Sequence, residues 1–224
     1  FENCSPITGE VICEMARSNA DDVNSAIDAG HAAFPAWGKT SLAERANILN
    51  KIADVMEANL MLLATAETID NGKPIRETVN ADMALAVDHF RYFAGCIRAE
   101  EGSIAEIDAN TYAYHFKEPL GVVGQIIPWN FPIILASRKI STALGAGCAV
   151  ICKPDVITPG SVMELMNIIR DAGVPPGVVN LLSGDPAGIS SQLISSDIVK
   201  KISITGSTRV GKLILKQAAD KVQR

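Results

Sequence analysis

A chain of 224 residues, 48% hydrophobic and 20% charged, has the composition of a globular protein able to bury a sizeable core. A net charge of −5 at pH 7 excludes a role built on phosphate neutralisation, which needs a basic face, so no nucleic-acid partner is expected. The most apolar stretch, Leu120 to Ala136, is interrupted by Pro128, Asn130 and Pro132, which excludes a membrane-spanning helix there.

The first third reads as helix. Asn19 can cap a helix from Ala20 to about Phe34, with Asp21 and Asp22 at its positive end; Pro35 and Gly38 are expected to break it. Ser41-Leu42-Ala43-Glu44 is a capping box opening a long helix, with Ile48, Leu49, Ile52, Met56, Leu60 and Leu63 on one apolar face. Asn71-Gly72-Lys73-Pro74 ends that segment, and a third helix covers roughly Val79 to Arg98.

Between Ser103 and Glu118 the character changes. Ala105–Ile107 and Thr111–Phe116 read as two strands around an Asp-Ala-Asn turn, a ribbon too small to be stable unless a sheet or a partner subunit covers it.

From Gly121 onward, apolar runs at Val122–Ile127, Ala149–Cys152, Val178–Leu182 and Lys201–Thr205 alternate with helical patterns near Ile133–Leu144, Ser161–Asp171, Ala187–Ile194 and Thr208–Val222. Short, continuously apolar strands separated by helices predict a Rossmann-like α/β fold, a parallel sheet covered on both faces, with ligands at the carboxyl ends of the strands. The expected division is a helical part at 1–102, a β-ribbon arm at 103–120 and a dinucleotide-type part at 121–224.

Cys4, Cys13, Cys96, Cys148 and Cys152 are odd in number, contain no CxxC and follow no secretory signal, so they read as reduced thiols of a cytoplasmic protein. Cys148 and Cys152 fall in an apolar, strand-like run without neighbouring His, so no metal site is expected. Phe1-Glu2-Asn3 lacks an initiator Met, and Lys221–Arg224 stops directly after a helical pattern. The sequence is therefore expected to be a piece of a longer reading frame.

Three segments carry chemistry. In Ile204-Thr205-Gly206-Ser207-Thr208-Arg209-Val210-Gly211-Lys212 a strand ends, a glycine permits close backbone approach, and a helix begins whose free N–H groups can hold an anion. Gly206 to Lys212 also satisfies most of a P-loop, but Leu213 stands where Ser or Thr should ligate magnesium, which argues against phosphoryl transfer. An ordinary strand–helix turn is the alternative. In Pro128-Trp129-Asn130-Phe131-Pro132 a rigidly held carboxamide could stabilise a developing oxyanion, or Asn130 could simply bond its own backbone. Lys153, ending a buried strand before Pro154, could bond ribose hydroxyls or a phosphate, or be a solvated loop lysine.

Taken together, Phe116, Glu118-Pro119-Leu120-Gly121-Val122-Val123-Gly124, Pro128–Pro132, Lys153-Pro154, Gly173–Asn180 and Thr205-Gly206-Ser207-Thr208 strongly resemble the aldehyde dehydrogenase superfamily, in order and spacing, over essentially the whole chain. Residues up to Pro132 look most like the acetaldehyde and aliphatic aldehyde enzymes. From Ile133 the chain looks more like the succinate-semialdehyde branch, because Arg138-Lys139 stands where many members have Trp-Lys. The resemblance implies oxidation of an aldehyde to a carboxylic acid with NAD or NADP. It implies an oxyanion-hole amide at Asn130 and a lysine near the catalytic centre at Lys139. It places Ile126, Pro128 and Trp129 at the nicotinamide end, Lys153 on the adenosine ribose, Gly206 and Ser207 at the pyrophosphate, and Gly184 and Val210 on the adenosine side. The ribbon at 103–118 matches the arm through which members form homo-oligomers.

Two departures accompany it. Val156 stands where the family commonly has a Glu that holds the ribose hydroxyls, which leaves NADP as open as NAD, and Arg138 and Thr142 replace Trp and Pro. The family's nucleophilic cysteine and general-base glutamate lie beyond the segment matching Lys221–Arg224. The chain alone, with no catalytic domain, is therefore expected to be inactive: a thiolate must attack the aldehyde and a carboxylate must later activate water. The alternative is a remnant that only binds dinucleotide or only oligomerises.

Overall fold

The computed structural model describes residues 1–223. It opens with a feature that the helical reading of the first third missed, an antiparallel hairpin of β1 (Glu2–Cys4) and β2 (Val11–Glu14). Little in its sequence announces it, because only Asn3 is buried and no apolar alternation is needed. The hairpin is held from outside, through the Asn3 carboxamide, which donates to Asp70 at 2.5 Å.

Helix α1 (Ala20–Trp37) starts at the expected cap: the Asn19 carboxamide oxygen accepts from the N–H groups of Asp21 and Asp22, and the Asp22 carboxylate accepts from Asn19 N–H. It does not break at Pro35. The proline lies in the last turn, where its missing N–H forfeits one bond, and Trp37, 2% exposed, anchors that turn in the core. The expected single long helix is instead α2 (Leu42–Ala58) and α3 (Leu60–Asn71), joined at Asn59 (φ −112°, ψ 21°). Asn59 turns its carboxamide back onto Val55 O, a local bond that competes with helix propagation. Leu49, Ile52, Met56 and Leu63 stay buried on both sides of this joint, which is why apolar spacing conceals it. The third helix begins earlier than Val79, as α4 (Ile75–Glu77), a π-helical stretch (Thr78–Met83) and α5 (Ala84–Arg98). Thr78 and Asp82 are buried polar residues that spoil the apolar period there.

Strands β3 (Ser103–Asp108) and β4 (Thr111–His115) form the expected ribbon, with only Ala113 even partly buried. The second half follows the predicted alternation: β5 (Val122–Ile126), α6 (Pro132–Gly145), β6 (Ala149–Lys153), α7 (Gly160–Asp171), β7 (Val179–Leu181), α8 (Pro186–Ser195), β8 (Val199–Ile204) and α9 (Thr208–Ala218). The last helix ends short of Val222. A 3₁₀ turn, Ala219–Lys221, follows it, and Val222 takes a left-handed φ of 49°.

All pairs in the four-stranded sheet are parallel, in the order β7-β6-β5-β8. Successive residues of β6 enter different cores: Val150 and Cys152 join the larger cluster with α2, α5, α6 and α7, whereas Ala149 and Ile151 join the smaller one with α1 and α8. Both faces are thus covered, as the unbroken apolar strands require. The strand order reverses at β5, between β6 and β8, and such a switch point opens a crevice at the carboxyl ends.

Candidate functional site

The register fixes what meets at that crevice. Ile126 lies between Lys153 on one side and Ile204 on the other. Ile127 N–H donates to Lys153 O at 3.0 Å and Thr205 N–H donates to Ile126 O at 3.3 Å, so the three strands end level. With adjacent strands about 4.8 Å apart, the backbones of Lys153 and Ile204 are roughly 10 Å apart. Alternate residues of a strand share a face. Lys153 therefore continues the face of Ala149 and Ile151, and Ile126 and Ile204 pack with Val210 and Ile214 of α9 on that same side.

Helix α9 starts here. The Ser207 hydroxyl accepts from Val210 N–H at 3.3 Å, while the remaining first-turn N–H groups have no intrahelical acceptor and form a positive, donor-rich end. Gly206 is exposed and its φ is ordinary. A Cβ added to it would meet only Ile204, at a comfortable 3.8 Å. Among the described residues no packing contact demands a glycine there, and the backbone at position 206 stays open to the outside. Residues 208–211 are helical, which removes the loop a P-loop would wrap around a phosphate.

Lys153 is 2% exposed, and among the described residues no carboxylate lies within 4.0 Å of its ammonium. Burial pushes its pKa down, against the opposing pull of Asp155 and Asp185. A buried ammonium without an ion pair is a group arranged for an external acceptor. Beyond it Gly184 holds φ +130°, and a Cβ there would stand 3.2 Å from Arg17 Cγ and 3.3 Å from Ser18 N. Arg17, Val156, Ile157, Asp185 and Pro186 help to line an open cavity of about 530 Å³ next to this turn.

Pro128, Trp129 and Asn130 follow the end of β5, at the same edge. The Asn130 side chain is exposed and makes no hydrogen bond among the described residues, so the alternative in which it bonds its own backbone is not realised. Its neighbours are held from the end of α3 and the turn after it: Asn71 Nδ2 donates to Trp129 O at 2.6 Å, and Lys73 Nζ sits 4.1 Å above the Phe131 ring. In the sequence, Asn71-Gly72-Lys73-Pro74 marks only a helix stop. Contacts spanning 58 residues leave no local signal.

Lys139 stands apart from this group. It lies on the opposite face of the sheet, where its ammonium donates to Ser203 Oγ at 2.9 Å and its carbonyl accepts from Gln125 Nε2 at 2.8 Å. Burial, then the nearby Arg138 and Lys201 charges, depress its pKa to about 8. Cys152 is fully buried, and burial pushes its thiol up to about 12, as expected for an inert core thiol. No cluster of three or more potential metal ligands occurs among the described residues, and no helix there is long and apolar enough to cross a membrane.

Comparison with known proteins gives the same direction. The sequence model of the Aldehyde dehydrogenase family matches residues 1–224. The chain is 58% identical over 219 residues to an EPTC-inducible aldehyde dehydrogenase of Rhodococcus erythropolis, and equally so to acetaldehyde dehydrogenase 2 of Cupriavidus necator; each match covers 98% of this chain and 43% of the relative. The structure of an aldehyde dehydrogenase of Bacillus cereus in complex with NAD+ superposes with a TM-score of 0.97 at 35% identity, covering 100% of this chain and 46% of that one. The chain thus spans less than half the length of the relatives it matches. A full-length family match, carried on a sheet whose switch point holds the expected lysine and helix terminus, establishes that this chain belongs to the aldehyde dehydrogenase family.

Proposed function

We propose that these 224 residues bind NAD or NADP at the switch point and serve an enzyme that oxidises an aldehyde to a carboxylic acid. One observation carries this reading: Lys153, Ile126 and Ile204 end level on adjacent strands and face the side where α9 begins. The bare Gly206 and the Lys153 ammonium, which meets no carboxylate within 4.0 Å among the described residues, fit a dinucleotide's pyrophosphate and ribose.

In this reading the Gly206–Ser207 turn and the first N–H groups of α9 hold the pyrophosphate, and Lys153 donates to the adenosine ribose. Gly184 and Val210 border the adenosine side, and Ile126, Pro128 and Trp129 line the nicotinamide end. The bound dinucleotide supplies the hydride acceptor. The Asn130 carboxamide donates to the aldehyde oxygen as negative charge develops on it. Lys139, behind the sheet, acts on the reacting centre only through its neighbours or through sequence outside these residues. The thiolate nucleophile and the general-base carboxylate also come from outside them: Cys152 and Cys148 are buried core thiols, Cys4 and Cys13 belong to the N-terminal hairpin, and Cys96 to α5.

The exposed ribbon offers Ile104, Ile107, Tyr112, Tyr114 and Phe116 to solvent, which supports homo-oligomerisation through residues 103–118. Five free thiols support a reducing, cytoplasmic setting.

Trp129 is 55% exposed and Trp37 is 2% exposed, so tryptophan emission reports on the crevice. Titration with NAD and with NADP is expected to quench it saturably. Lys153→Met is expected to weaken binding roughly ten- to a hundredfold, the range for losing a charge-assisted hydrogen bond. The chain by itself is expected to oxidise no aldehyde at any cofactor concentration. Unchanged emission with both dinucleotides in a folded sample removes the binding role, and turnover that survives replacement of all five cysteines removes the external nucleophile.

A further inference from the structure

The Asn130 side chain makes no hydrogen bond among the described residues, yet the residues on either side of it are both held, and by one short stretch of chain. The Trp129 carbonyl, before it, accepts from Asn71 Nδ2 at 2.6 Å; the Phe131 ring, after it, lies 4.1 Å beneath Lys73 Nζ. Asn71 ends α3 and Lys73 stands one residue past the cap. Between them Gly72 takes φ +83°, with its N–H on Thr68 O at 2.9 Å, which reverses the chain so that both side chains reach the same loop. A Cβ at Gly72 would stand 2.9 Å from Pro6 Cγ, so the turn is also wedged from behind.

The lysine cannot wander. Its ammonium is 2.6 Å from Asp82 and 3.6 Å from Glu67, carboxylates 4% and 0% exposed. Asp82 lies in the π-helical stretch, which is what turns it inward. Asp70, next to Asn71, accepts from Asn3 Nδ2 and from Gly160 N–H, tying the end of α3 to the N-terminal hairpin and to the start of α7. A buried polar cluster of this extent is a costly thing to build for a surface turn alone, because each buried carboxylate must be desolvated.

We propose that Asn71 and Lys73 are positioning residues that clamp Trp129 and Phe131 and thereby fix the direction of the Asn130 carboxamide. This assignment rests on the reading of Asn130 as an oxyanion donor, since such a donor acts only when it is aimed at the developing charge. One clamp arm is a hydrogen bond to backbone, which sets the peptide plane entering Asn130. The other is a cation over an aromatic face, which sets the side chain leaving it.

The test uses the whole 224-residue chain and needs no ligand. Backbone ¹⁵N order parameters at Trp129, Asn130 and Phe131, with the Asn130 side-chain NH₂ signal identified by its loss in Asn130→Asp, report the order of the loop. In the wild type, values near about 0.85 and a single NH₂ pair are expected. In Asn71→Asp and Lys73→Met they are expected to fall below about 0.6, with the NH₂ pair broadened or doubled, while the strands of the sheet keep their order. Lys73→Arg, which keeps both the cation and the ring contact, is expected to restore the wild-type pattern. If Asn71→Asp does not fold, Asn71→Ala gives the same reading without introducing a charge. Unchanged order at residues 129–131 in the folded variants overturns the clamp. So does a loss spread evenly over the sheet, which would mark simple destabilisation. A wild-type chain that binds neither dinucleotide counts against the proposed function and leaves the order measurement standing.

Discussion

At the residue scale, the two lysines differ because the sheet separates them. Lys153 and Lys139 are both buried enough for their pKa values to fall, but Lys139 already has Ser203 as an acceptor, whereas Lys153 meets no carboxylate among the described residues. Only the second is free to be completed by a ligand. Val156 belongs to the same account. It is half-buried in the turn after β6 on the cavity that Arg17, Glu2 and Asp185 also line, and position 156 itself neither repels a phosphate on the ribose nor accepts from its hydroxyls. Val156→Glu is expected to strengthen NAD binding roughly tenfold and to weaken NADP binding by at least as much, on the scale of one charged hydrogen bond gained against one repulsion. Paired titrations of the wild type and the variant check this, and equal changes for both cofactors contradict it.

At the element scale, the order of strands and helices in the parallel-sheet half was legible, with boundaries displaced by at most four residues, at the end of α9. β5 and β6 are buried on both faces and are mainly apolar, interrupted only by Gln125 and the terminal Lys153, and Pro132 and Ser207 mark helix starts. The helical half was legible only where local chemistry dominated, as in the capping boxes at Asn19 and Ser41. What failed there were features set by distant partners: the hairpin tied through Asn3 to Asp70, the break at Asn59 hidden beneath an unbroken apolar face, and the π-helical stretch that turns Thr78 and Asp82 inward. The site divides the same way. Lys153 ends β6 and Gly206 follows the end of β8, positions the sequence pattern marked, while the contacts of Asn71 and Lys73 with Trp129 and Phe131 join segments 58 residues apart and leave no local pattern.

The end of α3 also carries a pH signature. Glu67 is wholly buried, neither carboxylate oxygen has a hydrogen bond, and burial pushes its pKa up to about 7. The Ser161 hydroxyl, near but outside hydrogen-bonding geometry, and the Lys73 charge oppose that shift. Because the folded chain holds the proton more tightly than the unfolded one, this contribution is complete below about pH 4.5. It is lost as pH rises through about 7, and amounts to about 3 kcal/mol over that window. Glu67→Gln is expected to flatten that part of the stability profile and to leave the protein relatively more stable at pH 8. Denaturant titrations at pH 5 and pH 8 measure it, and parallel profiles for the two proteins refute it.

At the scale of the whole molecule, two surfaces bear on the proposed function: the crevice and the ribbon. Tyr114 and Phe116 stack nearly parallel, 6.2 Å apart, on a ribbon that exposes its other large apolar side chains as well. Such a surface in water favours self-association. Sedimentation is expected to show a dimer or larger species at micromolar concentration, and Ile104→Asp with Tyr114→Asp is expected to give the monomer. A wild-type monomer across that range would leave the ribbon without the assigned role.

The crevice decides the rest. Backbone amide shifts of the ¹⁵N-labelled chain, followed as NAD or NADP is added, are predicted to move together at Lys153, Gly184 and Ser207–Arg209, with Lys139 and the ribbon unaffected. Shifts confined to another surface, or none at saturating dinucleotide, would mean that the level strand ends at Lys153, Ile126 and Ile204 do not form a cofactor site.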